Sequence, residues 1–286
     1  MAVVNTNVSA SIAQSALARN DRALGTAMEQ LSTGRKINSA GDNASGLAIT
    51  ARMTSQIKGL DTAIRNANDA ISMISTAEGA LDEISNMLQR MRELAVQAGT
   101  GTTDSADRTY MNTEFSNLRS EIDRIADNTQ WNGRNILDGS AGASTGKSAV
   151  AFQVGSDFKQ TISTTFGNFN NTTGKLSGLA SKVISGTTIT SAIAMASSSI
   201  VEIDVVIGDV SSQRATFGAV SNRLTHAVDN LTNVKTNAEA SRSRILDTDY
   251  AAATTEMART QIIQQAGTAM LAQANALPQT VLALLR

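Results

Sequence analysis

From Met53 onward every seventh residue of the chain is apolar: Met53, Leu60, Ala67, Ile74, Leu81, Leu88 and Ala95. Ile57, Ile64 and Ile71 follow four residues behind, and beyond Ile74 this second row drifts to Ala77, Ile84 and Met91. Two apolar rows at this spacing are the a and d positions of a heptad pattern. The drift is what a nearly straight helix shows when it outruns a strict 3.5-residue period. The spacing predicts one helix over about 45–97, roughly 75–80 Å long at ~1.5 Å per residue. Gly99 and Gly101 end it. Proline, the usual helix breaker, occurs once in 286 residues, at Pro278.

The same periodicity recurs. Met111, Phe115, Leu118, Ile122 and Ile125 predict a second helix over about 105–127. Ile203, Val210, Phe217, Leu224, Leu231, Ala238 and Ile245, with Val220, Ala227 and Val234 as a second row, predict a third from about 199 to beyond 244. Between them the period falls to two. Val150, Phe152 and Val154, then Ile162, Thr164 and Phe166, read as a β-hairpin. Residues 167–198, rich in Ser, Thr, Gly and Asn, read as an irregular excursion. Both chain ends carry sevenfold rows of their own. Val3, Ala10, Leu17, Leu24 and Leu31 form one, and Ile263, Met270, Leu277 and Leu284 the other. Amphipathic segments of this kind are marginal alone and need a partner surface, either each other or the ends of neighbouring molecules. The fold class expected is mainly α: an elongated coiled-coil-like bundle with a small hairpin and paired terminal helices.

Composition narrows the chemistry. With no Cys there are no disulfides, thiolate metal sites or cysteine nucleophiles. The one His, His226, lies beside the third helical row and reads as a helix-surface residue without a catalytic partner. Lys and Arg number 24 against 25 Asp and Glu, a net charge of −1, so nucleic-acid binding is not expected. No continuous apolar run reaches the ~18 residues of a membrane span, so membrane insertion is not expected either. Residues 1–20 lack the basic and apolar regions of a cleaved signal peptide. Gly142 to Ser148 imitates a phosphate loop but has Ala141 where its first glycine belongs. Gly99-Thr-Gly101 lacks the third glycine of a dinucleotide fingerprint. Neither a cofactor nor a metal is expected, and the chain does not read as an enzyme.

Particular motifs then resemble the bacterial flagellins. They include Val4-Asn5-Thr6-Asn7, Leu31-Ser-Thr-Gly34-Arg35-Lys36-Ile37-Asn38-Ser39-Ala40-Gly41-Asp42, Thr76-Ala-Glu-Gly-Ala-Leu81 and Leu88-Gln-Arg-Met-Arg-Glu-Leu-Ala-Val-Gln97. Asn128-Thr-Gln-Trp-Asn-Gly133 and Phe152-Gln-Val-Gly155 continue the match. Ser241-Arg-Ser-Arg-Ile245, Leu271-Ala-Gln-Ala-Asn275, Pro278-Gln279 and Leu284-Leu-Arg286 complete it. The resemblance spans about 1–166 and 199–286, and implies a minimal member of the family. Residues 1–44 and 246–286 would form an inner helical domain. Residues 45–170 and 199–245 would form a rod, with 171–198 as a short outer stretch.

The resemblance implies a subunit that polymerises into the extracellular flagellar filament, exported by the flagellar type III route. An export chaperone, a filament cap and hook–filament junction proteins would be its partners. The terminal rows, Leu17, Leu24 and Leu31 with Ile263, Met270, Leu277 and Leu284, would carry polymerisation, the ends folding as they stack. Gln89, Arg90, Arg92, Glu93, Leu94 and Gln97, with Glu114, resemble the patch used for protofilament packing and bound by the vertebrate flagellin-sensing Toll-like receptor. Leu88, Met91 and Ala95 fall on apolar rows and are expected in the core. Arg90, Leu94 and Glu114 fall outside those rows and are expected at the surface. The alternative is the hook–filament junction protein of the same family, which has similar ends.

Overall fold

The computed structural model describes residues 7–142, 149–170, 174–186 and 188–284, with side chains as far as 276. Val3, most of the phosphate-loop look-alike, and the side chains of Leu277 and Leu284 therefore lie outside the described residues. Among the described residues there are five α-helices: α1 (Val8–Thr33), α2 (Ala44–Ala98), α3 (Ser105–Asn128), α4 (Ile189–Leu246) and α5 (Tyr250–Leu284). Two small antiparallel hairpins lie between α3 and α4. The first pairs β1 (Gln130–Trp131) with β2 (Arg134–Asn135), the second β3 (Ala149–Gln153) with β4 (Thr161–Thr165). The mainly helical architecture with a small hairpin is the one the periodicity predicts.

The helix starts are set by side chains that accept the first free N–H groups. Asn7 accepts from the Ala10 amide at 3.0 Å, Asn43 from Gly46 at 2.9 Å and Asp249 from Ala251 at 3.0 Å. At the other end of α1, Gly34 stands at φ 68, a left-handed conformation, and its N–H returns to the Gln30 carbonyl.

The chain divides into two units, residues 58–235 and residues 1–57 with 236–286. Each division falls within a continuous helix, α2 or α4. In the first unit, the predicted rows of α2, α3 and α4 meet in one core. Leu81, Leu88, Met91 and Ala95 pack there with Phe115, Ile122, Ile203, Val210, Phe217 and Leu224. The Phe166 and Phe217 rings lie 5.1 Å apart and tilted. Gln213 donates to the Thr165 carbonyl at 2.8 Å, fastening β4 to α4. The second row of α4 runs through Val206, Gln213 and Val220 and fades at Val234, which is exposed.

Three ion pairs give the sense of α2 against α4. Asp61 meets Lys235 at 2.6 Å, Asp82 meets Arg214 at 3.0 Å and Arg92 meets Asp204 at 2.7 Å. Each step forward along α2 matches an equal step backward along α4, so the helices are antiparallel and in register. Exposed pairs contribute little energy individually; the buried rows supply the stability.

Residues 174–186 and 188–198 depart from the irregular excursion expected there. Helix α4 begins at Ile189, ten residues before the predicted start. Leu176, Leu179, Ile184 and Ala196 join the core. Asn112 on α3 accepts from the Ile184 amide at 3.0 Å, and Arg119 donates to the Ala180 carbonyl at 2.9 Å. Thr188 and Ser191 cap α4 reciprocally, each side-chain oxygen accepting from the other's amide. This end of α4 is weak in bulky aliphatics, so its periodicity is faint in sequence. Helix α4 also has a window long and apolar enough to cross a membrane by composition; its row Ala192, Ala196, Ser199, Ile203, Val206 and Val210 is buried in this fold.

In the second unit α1 and α5 pair. The buried and half-buried row of α1 is Ala10, Ala13, Leu17, Asn20, Leu24, Ala27 and Leu31. That of α5 is Ala253, Met257, Thr260, Gln264, Gly267, Leu271 and Ala274. Beyond them Lys36 donates to the Leu246 carbonyl at 2.7 Å and Thr248 to the Gly34 carbonyl at 3.0 Å.

Candidate functional site

Two surfaces were expected to carry function: the α2–α3 patch and the terminal rows. On α2, Met91, Leu94, Ala95 and Ala98 follow the i, i+3, i+4, i+7 spacing of one helix face. All are buried, as is Leu88. Gln89, Arg90, Arg92, Glu93 and Gln97 fall between them and are exposed, and Glu114 is exposed on α3. Leu94 is the correction. At 2% exposure it is a core residue and not part of the contact surface. Its neighbours at i−3 and i+4, Met91 and Ala98, place it inside a face broadened to pack against both α3 and α4.

The charged members of the patch hold one another. Arg90 donates to Glu114 through Nε at 2.9 Å and to Glu93 through a terminal nitrogen at 3.0 Å. Arg92 donates to Asp204 on α4 at 2.7 Å and 3.4 Å, a two-pronged contact. The hydrogen bond that Arg90 donates to Glu114 raises the Arg90 pKa further, and the one from Arg92 holds the Asp204 carboxylate below its ordinary range. Every cation here is neutralised locally while keeping its outer face to solvent. The patch is thus an exposed polar surface whose positive and negative side chains are paired with one another. Asp204 was not among the expected residues, because nothing in the local sequence tells which helix Arg92 will meet.

At the termini, Leu17, Leu24 and Leu31 lie on the α1 row that meets α5, as the spacing requires. Of the predicted C-terminal row, the two members with described side chains, Ile263 and Met270, do not face them. Ile263 is 43% and Met270 65% exposed, and Ile262 beside them is exposed as well. Helix α5 presents smaller residues to α1 instead. A Cβ on Gly267 would come within 3.0 Å of Leu17 Cδ1, so the two helices approach closely where side chains are smallest. The bulkier aliphatic row stays on the outside. His226 is exposed on α4, and among the described residues no three His, Asp or Glu side chains converge on a common point.

Comparison with known proteins fits this arrangement. The bacterial flagellin N-terminal helical region matches residues 4–142, and the flagellin C-terminal helical region matches residues 200–285. The chain is 44% identical to the flagellin of Halalkalibacterium halodurans over 260 residues, covering 91% of each chain. It is 41% identical to the flagellin of Bacillus subtilis over 303 residues, covering 99% of each. A structure assigned to a flagellar hook-associated protein of Vibrio parahaemolyticus matches with a TM-score of 0.59 over 72% of this chain and all of that one. At 16% identity it speaks for the fold alone. With both terminal regions matched in order and relatives matched along nearly their whole length, the chain belongs to the bacterial flagellins, and is a structural subunit of the extracellular, homo-polymeric flagellar filament rather than an enzyme.

Proposed function

We propose that the rod, built on the core of α2, α3 and α4, is the part of the subunit that folds by itself, and that the paired ends acquire their fold as they stack in the filament. One observation carries this reading: the α1–α5 pair buries very little. Among the described residues, those buried in it are Asn20 and Ala27 on one side and Ala253 and Thr260 on the other. Two buried alanines and rows of half-buried side chains offset little of an ordering cost of about 1–2 kcal/mol per residue. Val8, Ile12, Met28, Ile262, Ile263 and Met270 meanwhile expose apolar surface. Contacts between neighbouring subunits would cover that surface, and heterologous contacts that do not close produce a helical filament. Far-UV circular dichroism should show a gain in helix when the full-length chain polymerises, and a chain ending near residue 256 should not pellet as filaments. Equal polymerisation with and without those last residues would defeat the proposal.

The patch of Gln89, Arg90, Arg92, Glu93, Gln97 and Glu114 serves packing between protofilaments and, on the released subunit, recognition by the vertebrate Toll-like receptor. Its exposure and fixed charge pattern support this. In a receptor reporter cell assay Arg90→Ala should lower signalling strongly, because Glu93 and Glu114 lose their shared partner. Equal signalling by both chains, or none by the wild type, would refute receptor recognition. Export through the flagellar type III route, guided by a chaperone and delivered beneath a filament cap onto the junction proteins, completes the proposed life of the subunit. The junction-protein reading would gain only if the full-length chain never forms filaments.

A further inference from the structure

We infer that Asn7 is the residue that pins the register of the two terminal helices, using both ends of its carboxamide at once. Its Oδ1 accepts from the Ala10 amide at 3.0 Å and caps α1. Its Nδ2 donates to the carbonyl of Ala274, in α5, at 2.8 Å.

The target of that second bond is singular for a chemical reason. In an α-helix each carbonyl accepts from the amide four residues on. Four residues beyond Ala274 stands Pro278, which has no amide hydrogen. Helix α5 nevertheless continues to Leu284. The Ala274 carbonyl is therefore the one acceptor that this proline deprives of its regular partner, and it is the one that Asn7 reaches. A carbonyl left without a donor on an assembled, dehydrated face would cost the helix, whereas one supplied by Asn7 ties α5 to the start of α1.

Two further contacts repeat the alignment without a proline. Asn20 donates to the Thr260 carbonyl at 2.7 Å in a buried position, and Gln264 donates to Asp21 at 2.9 Å. They fix the middle of the pair. Asn7 fixes its far end, where few side chains are buried and where a slip by one helical turn would otherwise cost little. The chain's single proline thus marks the level at which the two ends must meet.

This inference rests on the reading that the ends fold together in the filament, and the test separates the two. Asn7→Ser keeps a good helix cap but removes the long amide donor. Pro278→Ala restores the missing N–H, so the Ala274 carbonyl no longer depends on Asn7. In seeded polymerisation of full-length chains, Asn7→Ser should raise the critical concentration roughly 3- to 10-fold, the worth of one hydrogen bond. In the Pro278→Ala background the same substitution should change it less than about twofold. Wild-type polymerisation with no effect of Asn7→Ser would overturn the inference, and so would an equal effect in both backgrounds. Failure of the wild type to polymerise would instead count against the reading beneath it. Should Pro278→Ala not assemble, thermal loss of helix in the four full-length chains, held in a folding-promoting osmolyte, gives the same cycle. Coupled midpoints support the pin, and additive or unchanged midpoints overturn it.

Discussion

Arg108 leads the fully buried side chains in volume, at 1% exposure. It stands on the inward row of α3, seven residues before Phe115. There it donates to the Ala98 carbonyl at 3.1 Å and to the Thr100 carbonyl at 2.8 Å. These carbonyls belong to the end of α2 and the turn after it, where no further helical N–H is available. A guanidinium that is desolvated but caps a helix C-terminus is stabilising in place and costly to remove. Arg108→Ala should lower the unfolding free energy of the rod by about 2–4 kcal/mol, combining lost hydrogen bonds with a cavity. Chemical denaturation followed by circular dichroism measures this, and a loss under about 1 kcal/mol would contradict the role. Arg108 and Leu94 teach the same lesson from opposite sides. A charged residue in a first turn reads as solvated and an off-row leucine as available, yet both are interior. Three packed helices bury a broader face than a two-row pattern marks.

At the scale of elements, the connection from α1 to α2 depends on Asp42. Its carboxylate accepts from the Ser39 amide at 2.8 Å and the Asn38 amide at 3.0 Å. These bonds, the one from Ser39 foremost, lower its pKa. A depressed folded-state pKa means that the turn gains stability from ionised Asp42 above the ordinary aspartate value of about 3.9. That gain shrinks as pH falls through the lower, folded-state value. The Ser39 amide resonance of the full-length chain should titrate with a midpoint below the ordinary aspartate value and stop titrating in Asp42→Asn. A midpoint above that value would reverse the sign and refute the assignment. In sequence the motif Ile37-Asn-Ser-Ala-Gly-Asp42 carried only the resemblance to the flagellins; the turn and the atoms that close it are visible in the fold alone.

Other elements were legible to different degrees. The β3–β4 hairpin follows from strict alternation, and Val150 pairs with Thr164 and Phe152 with Ile162 as the spacing suggests. The smaller β1–β2 hairpin was missed, although its signal was present. Asn132 and Gly133, at φ 50 and φ 75, make the tight turn that such a dipeptide favours; flanking strands two residues long are too short to show alternation. The true start of α4 was also signalled, by the Thr188–Ser191 cap. Amid the Ser and Thr content of the segment that signal is weak, because serine and threonine serve caps, loops and buried helix faces alike.

For the whole molecule, sequence by itself determined the helices, the hairpin between them and the rows available for burial, because backbone hydrogen bonding imposes the 3.6- and 2-residue periods locally. The same motifs carried the resemblance to the flagellins that the comparisons establish. Tertiary structure alone decided which of the available rows met. It turned the Ala253–Ala274 face of α5 toward α1 and left Ile263 and Met270 outside, set Arg92 on Asp204, and brought Asn7 to the carbonyl that Pro278 leaves free. The physical reason is that periodicity fixes which residues share a face, while the closeness of neighbouring backbones and the supply of hydrogen-bond donors fix which face is buried. A row of small residues allows an approach that a row of large ones prevents, and that choice depends on residues more than two hundred positions away.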